Sequence, residues 1–171
     1  MSEIRLAVEL SCRRHGLKLR EWHDERALKQ DYDTVQTGAQ RQSPVLPDGY
    51  FVISPDSRTS FHFFVEYDRG SEPLRFFRRK IRLYWLYFQS PKPTLRYGTN
   101  RIRVLTVTES KAPIRARGRT KSVRDATKDL GAHNWFWFTN INEIISNDFL
   151  SAPIWSQTQI DEVKPLLDRF S

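Results

Sequence analysis

Residues 61–89 read FHFFVEYDRGSEPLRFFRRKIRLYWLYFQ, and a change of period inside that stretch decides the fold. Up to Asp68 the run is aromatic and β-branched, as a strand on a half-buried surface requires. Arg69-Gly-Ser-Glu-Pro73 then supplies turn chemistry, with Ser71 as a cap and Pro73 in the first helical turn. From Leu74 the apolar positions recur as Leu74, Phe77, Ile81, Tyr84 and Phe88, the three-and-four spacing of a helix running to about Gln89. A further strand is predicted from Ile102 to Thr108, so the order is strand, helix, strand. That is the sequence form of the crossover which a parallel pair needs.

Toward the N-terminus, Gly49–Ile53 is a second strand, and Ser54-Pro-Asp-Ser-Arg-Thr59 turns it into Ser60–Asp68 as an antiparallel hairpin. Ile4, Ala7, Val8, Cys12 and His15 mark a helix that Gly16 stops, and Leu17 to about Leu28 alternates as a strand. Residues 29–46, KQDYDTVQTGAQRQSPVL, show no period and predict a mobile surface loop. Toward the C-terminus, Ser122–Leu130 reads as a helix, and Asn134–Phe138 as a strand buried on both faces. Two short helices follow, Ile141–Ser146 and Gln159–Phe170, the latter interrupted by Pro165. The expected fold is α/β, a mixed central sheet with flanking helices, in a single domain over the 171 residues.

Composition narrows the function. Lys and Arg number 28 against 20 Asp and Glu, a formal charge of +8. This balance favours a polyanionic partner, DNA first, because cations gain affinity by displacing counterions from phosphates. No apolar run approaches bilayer length, so no membrane partner is expected. One cysteine, Cys12, allows neither an intrachain disulfide nor a thiolate zinc site and fits a reducing, cytoplasmic setting. The four histidines lack metal-ligand spacing.

The acids of the hairpin carry the chemistry. Strand alternation puts Glu66 and Asp68 on one face, and Asp48 heads the neighbouring strand, so three carboxylates are expected near one point. Hard divalent cations, Mg2+ or Mn2+, take such oxygen ligands and can orient water against a phosphate. Asp48 and Asp68 also read simply as turn residues. Glu66 does not, since it follows Phe63, Phe64 and Val65 in a strand that should be buried. Arg75, Arg78, Arg79 and Arg82 form a basic stripe opposite the core stripe of the next helix. A second basic segment, with Arg115, Arg117, Arg119 and Lys121, reads as a loop over 111–121. Either could hold a phosphate backbone or be a solvated face.

The block PDGYFVI at 47–53, with FFVEYDRGSEPLRFFRRKIRLYWLY at 63–87, resembles the signature of the replication-relaxation family of plasmids and mobile elements. That family in turn resembles the PD-(D/E)xK nucleases, whose three-layer core runs helix, three strands, helix, strand. The resemblance implies metal ligands at Asp48 and Glu66, and Asp68 as a further acid of the site. It also implies DNA and replication or mobile-element proteins as partners. Where the nuclease motif has lysine two positions after the acid, this chain has Asp68. The lysine's role would then fall to the following helix, where Arg75, Arg78, Arg79 and Lys80 are available, Lys80 being a candidate catalytic residue. Two readings stand: a Mg2+-dependent endonuclease, or a nuclease-like regulator or assembly module that binds without cutting.

Overall fold

The computed structural model describes residues 1–109, 113–130 and 134–167, and the side chains of 113–116 and 161 are not among those described. Elements in chain order are α1 (Ser2–Arg14), β1 (Lys18–Asp24), α2 (Glu25–Leu28), β2 (Asp33–Gln36), β3 (Gln42–Val45), β4 (Gly49–Ser54) and β5 (Phe61–Asp68). There follow α3 (Leu74–Phe88), α4 (Lys92–Tyr97), β6 (Ile102–Thr108), α5 (Pro113–Asp125), β7 (Phe136–Asn140), α6 (Ile141–Ser146), β8 (Trp155–Gln157) and β9 (Ile160–Lys164).

Seven strands form one mixed sheet in the order β1-β4-β5-β6-β7-β8-β9, and β2 with β3 makes a separate two-stranded sheet. The β4–β5 hairpin is antiparallel, with Gly49 opposite Val65. β5 and β6 are parallel, Glu66 facing Thr106 and Asp68 facing Thr108, and β6 and β7 are parallel in turn. The helix α3 is therefore the crossover that the period change at 61–89 demanded. Both faces of the sheet are covered. Phe51, Phe63, Val65, Leu105 and Trp137 pack with α1 and α6. Tyr50, Phe64, Val104, Phe136 and Phe138 pack with α3, Val123 of α5, and Val35 and Val45 of the small sheet. Side chains that alternate along β7 thus enter opposite cores, which is why its apolar positions are consecutive. Among the described residues no helix is long and apolar enough to cross a membrane.

Gly16 closes α1 with φ 66, a conformation that favours glycine. The far side of α1 is pinned by Asp148, which accepts from Ser11 Oγ at 2.6 Å and Arg14 at 2.8 Å, and lies 3.1 Å from His15 Nε2. Burial alone would raise the Asp148 carboxyl, but hydrogen bonds from Ser11 and Ser151 outweigh it and hold the group well below its ordinary value.

Five expectations require correction. The strand from Leu17 ends at Asp24, whose side chain accepts from Ala27 N at 2.9 Å and starts the helical turn α2. Residues 29–46 hold the β2–β3 hairpin in place of a loop. Their anchoring is polar and long-range: Tyr87 OH donates to Asp33 at 2.5 Å and Lys92 Nζ to the Thr34 carbonyl at 2.6 Å. The basic loop, as far as it is described, is the first part of α5, which runs from Pro113 to Asp125, and only a short 3-10 turn at Lys128–Leu130 follows; residues 111 and 112 lie outside the described residues. Ser71 does not cap α3, whose N-cap is Pro73. The helix expected from Gln159 is the strand β9, turned from β8 through Gln159 at φ 61; its end at 168–170 lies outside the described residues.

Phe64 packs against Tyr50, Tyr84, Tyr87, Phe88 and Tyr97. Phe64→Ala should cost about 3–5 kcal/mol of stability, whereas Leu95→Ala, at a side chain 81% exposed, should stay within about 0.5 kcal/mol of the parent. Urea unfolding of the two variants measures the contrast.

Candidate functional site

Three residues of the expected types meet where β4 begins and β5 ends. Asp48 precedes β4, and its amide donates to the Val65 carbonyl at 3.0 Å. Its carboxylate accepts from Tyr67 N at 2.8 Å, so the side chain takes the place of a ladder acceptor and is held against β5. Glu66 lies on the face of β5 that meets α3 and is only 3% exposed. Lys80 reaches down from α3 between them: its Nζ pairs with Glu66 Oε2 and lies 3.6 Å from Asp48 Oδ1. Tyr84, one helical turn after Lys80, donates its hydroxyl to Glu66 Oε1.

This packing sets the protonation states. Burial pushes the Glu66 carboxyl up to about 8, against the pull of Lys80 and with a further push from Asp48. Burial opposes charge on Lys80 too, yet Glu66 and Asp48 outweigh it and hold the ammonium above its ordinary value. Tyr84 is raised well above the ordinary phenol range by burial and by Glu66, so it remains a donor. Lys80 stays charged, and Glu66 is the group that titrates.

Asp68 shares the face of Glu66 but does not join the cluster. Arg119 of α5 holds it with two bonds, Nε at 2.7 Å and Nη2 at 3.1 Å, and Nη2 also donates to the Glu72 carbonyl at 2.8 Å. The expected meeting of three carboxylates is thereby corrected: among the described residues no group of three His, Cys, Asp or Glu is placed to hold a metal. Asp48 and Glu66 remain as a pair, and a cleft of about 190 Å3 opens beside them, walled by Arg69, Ser71, Phe77, Lys80 and Arg119.

Around this corner the cations divide. Arg75, Arg79 and Arg82 are exposed on the outer side of α3, Arg75 lying over the Phe76 ring at 4.9 Å. Arg78 shares that side and pairs with Asp129 at 2.9 Å. On α5, Arg117 and Lys121 are exposed, away from Arg119; the side chain of Arg115 lies outside the described residues. Sequence reasoning did not find the roles of Tyr84 and Arg119. Tyr84 read as part of an apolar stripe, although a buried phenol needs a partner and stands four residues from Lys80 on the same side of the helix. Arg119 read as one of a run of loop cations, with no sign that a helix would aim it at Asp68.

Fold and corner together define a mixed α/β protein with an acid–lysine cluster at the edge of its sheet and arginines on the flanking helix. The chain belongs to the replication-relaxation family, whose match spans residues 1–102, from α1 to the first residue of β6. No curated protein and no solved structure matches it.

A carboxyl raised by folding from 4.5 to about 8 favours the folded state below 4.5 and loses that contribution as pH rises through about 8. Urea midpoints of the parent should therefore fall across that interval relative to Glu66→Gln, which cannot titrate.

Proposed function

We propose that this chain is a DNA-binding protein of plasmid or mobile-element replication, and that the Asp48–Glu66–Lys80 corner cleaves phosphodiester bonds with Mg2+ or Mn2+. The observation that carries the reading is the arrival of Lys80. Its ammonium stands beside two acids that are 18 residues apart in sequence, 14 residues after the second, and supplies the cation that Asp68 does not. The order helix, three antiparallel strands, helix, parallel strand supports a nuclease-like core, formed here by α1, β1, β4, β5, α3 and β6.

Two carboxylate oxygens, Asp48 Oδ1 and Glu66 Oε2, face a single point, and one or two protein carboxylates are what Mg2+ commonly takes alongside water and phosphate. Asp48 and Glu66 would hold the ion, which when bound supplies charge neutralisation at the scissile phosphate. The chain's own residues do the rest. The Tyr67 amide fixes the Asp48 carboxylate, Tyr84 fixes that of Glu66, and Lys80 offers a charged donor to phosphate or attacking water in the adjoining cleft. Arg119 holds Asp68 away from this point, so Asp68 acts by shaping the cleft. Arg75, Arg79 and Arg82 track the phosphate backbone, a contact that positions DNA without base readout.

A second reading is favoured by the same contact. Lys80 already pairs with Glu66 and lies beside Asp48, so the cluster could serve a purely structural role in a module that binds DNA without cutting. Incubation of supercoiled and single-stranded DNA with Mg2+ or Mn2+ separates the two. Metal-dependent cutting that falls about 10²–10³-fold in each of Asp48→Ala, Glu66→Gln and Lys80→Ala supports the nuclease; binding with no cutting by the parent supports the module. Backbone tracking by α3 is tested apart from cleavage. Replacing Arg79 and Arg82 together by Ala should lower the slope of log affinity against log salt by about 2, and an unchanged slope would remove α3 from the interface.

A further inference from the structure

A second cleft, of about 470 Å3, lies on the other side of α5 from the Asp48–Glu66–Lys80 corner. Its walls come from α5, the end of β7, α6 and the β8–β9 hairpin, all beyond the segment 1–102 that carries the family match. The volume falls within the range of small-molecule sites, about 300–1,000 Å3, and suits one nucleotide unit better than a length of strand.

Its chemistry is divided by side. Arg117, Lys121 and Arg124 stand at positions i, i+4 and i+7 of α5, so all three face the cleft together. Lys121 is exposed, and no acid pairs with it among the described residues. Arg124 is buried, its guanidinium steadied by Nη1 donating to the Ile160 carbonyl at 3.2 Å. The opposite wall is apolar, from Pro153, Ile154 and the exposed Val163, with Phe138 wholly buried beneath it. At the rim stands the Glu143 carboxylate, 3.7 Å from Arg117 and accepting from Asn147 Nδ2 at 3.3 Å. Cations, an apolar wall and a carboxylate match the three parts of a nucleotide: phosphate, base and a sugar hydroxyl that can donate.

We infer that this cleft binds a nucleotide unit, its phosphate on Arg117 and Lys121 and its base against Ile154 and Val163. The inference rests on the nucleic-acid reading above but not on cleavage. Such a unit has two sources, the phosphorylated end of a DNA strand or a free nucleoside monophosphate. The site's position across α5 from the corner suits the strand end, which would anchor DNA whose backbone crosses the corner.

Anisotropy titration of a single-stranded oligonucleotide with a 5′-phosphate against its 5′-hydroxyl twin tests the inference, with calorimetric titration of dTMP as the second arm. The phosphorylated strand should bind about tenfold more tightly. That preference should vanish in Arg117→Ala/Lys121→Ala, and independently in Val163→Trp, which fills the mouth without altering charge. Unchanged urea midpoints confirm that the variants fold. Binding of dTMP below about 1 mM, lost in the same variants, supports the site and assigns it to free nucleotide. Equal binding of the twins with no dTMP heat overturns it, as does a preference that survives both variants. Asp48→Ala should keep the preference, so failure of the cleavage reading and failure of this one are distinguishable; loss of the preference in Asp48→Ala would mean that the phosphate sits at the corner instead.

Discussion

The structure turns on how a carboxylate can stand on a central strand. Glu66 is almost wholly buried between β6 and α3, and an isolated charge there would cost several kcal/mol. One oxygen receives the Tyr84 hydroxyl and the other the Lys80 ammonium, both from α3. The helix is therefore fixed in rotation as well as position. A turn of one residue would swing Lys80 away and leave the acid alone, while Phe77, Ile81 and Phe88 would lose their places in the core. Polar pairing and apolar packing demand the same orientation of α3, which is the consistency across levels that gives a fold a single answer.

A similar division of labour holds the end of β5 to α5. Asp68 lies one pleat beyond Glu66, and its two oxygens are taken by Arg119. Arg119 also donates to the Glu72 carbonyl, so one guanidinium ties the strand end, the turn before α3 and the helix α5. Because β5, β6 and β7 are parallel, their carboxyl ends open along one edge, where ligands of such sheets commonly bind. α5 stands as a ridge on that edge. Arg119 faces the acid–lysine corner, and Arg117, Lys121 and Arg124 face the second cleft.

What could be read from the chain follows from the range of the forces involved. The β4–β5 hairpin, α3 and the parallel β6 were legible because each rests on local periodicity and on one turn. Asp48 and Glu66 were legible as partners because strand alternation and a tight hairpin fix their register within a few residues. The β2–β3 hairpin was not, since only Val35 and Val45 of its strands enter the core, and its anchors, Tyr87, Lys92 and Arg96, are more than fifty residues away. The replacement of a C-terminal helix by β8 and β9 was hidden likewise: short strands carry too few positions to show a period, and Gln159 at positive φ is not a usual turn residue. Among the cations available on the helix, Arg75, Arg78, Arg79 and Lys80, the chain offered Lys80 as the candidate catalytic residue without a local signal that fixed the choice. Helical geometry separates them. Lys80 comes three residues after Phe77 and four before Tyr84, on the inward flank, whereas the three arginines lie on the outward side.

The position of Lys80 also explains how Asp68 can stand two residues after a buried acid without adding to its charge. A lysine at position 68 would take away the carboxylate that Arg119 binds and set a like charge against its guanidinium. Supplied from α3, the ammonium meets Glu66 across the layer and leaves the end of β5 to a carboxylate that grips α5. The corner thus holds two acids and a lysine in contact, with a separate Asp–Arg pair beside them. Lys80 is also the part of the corner best able to move. Its side chain is 36% exposed at the cleft, and its unbranched stem can redirect the charge without disturbing the Glu66–Tyr84 bond. Glu66 and Asp48 are held by fixed donors, the Tyr84 hydroxyl and the Tyr67 amide, while Lys80 is the most exposed of the three groups at the cleft.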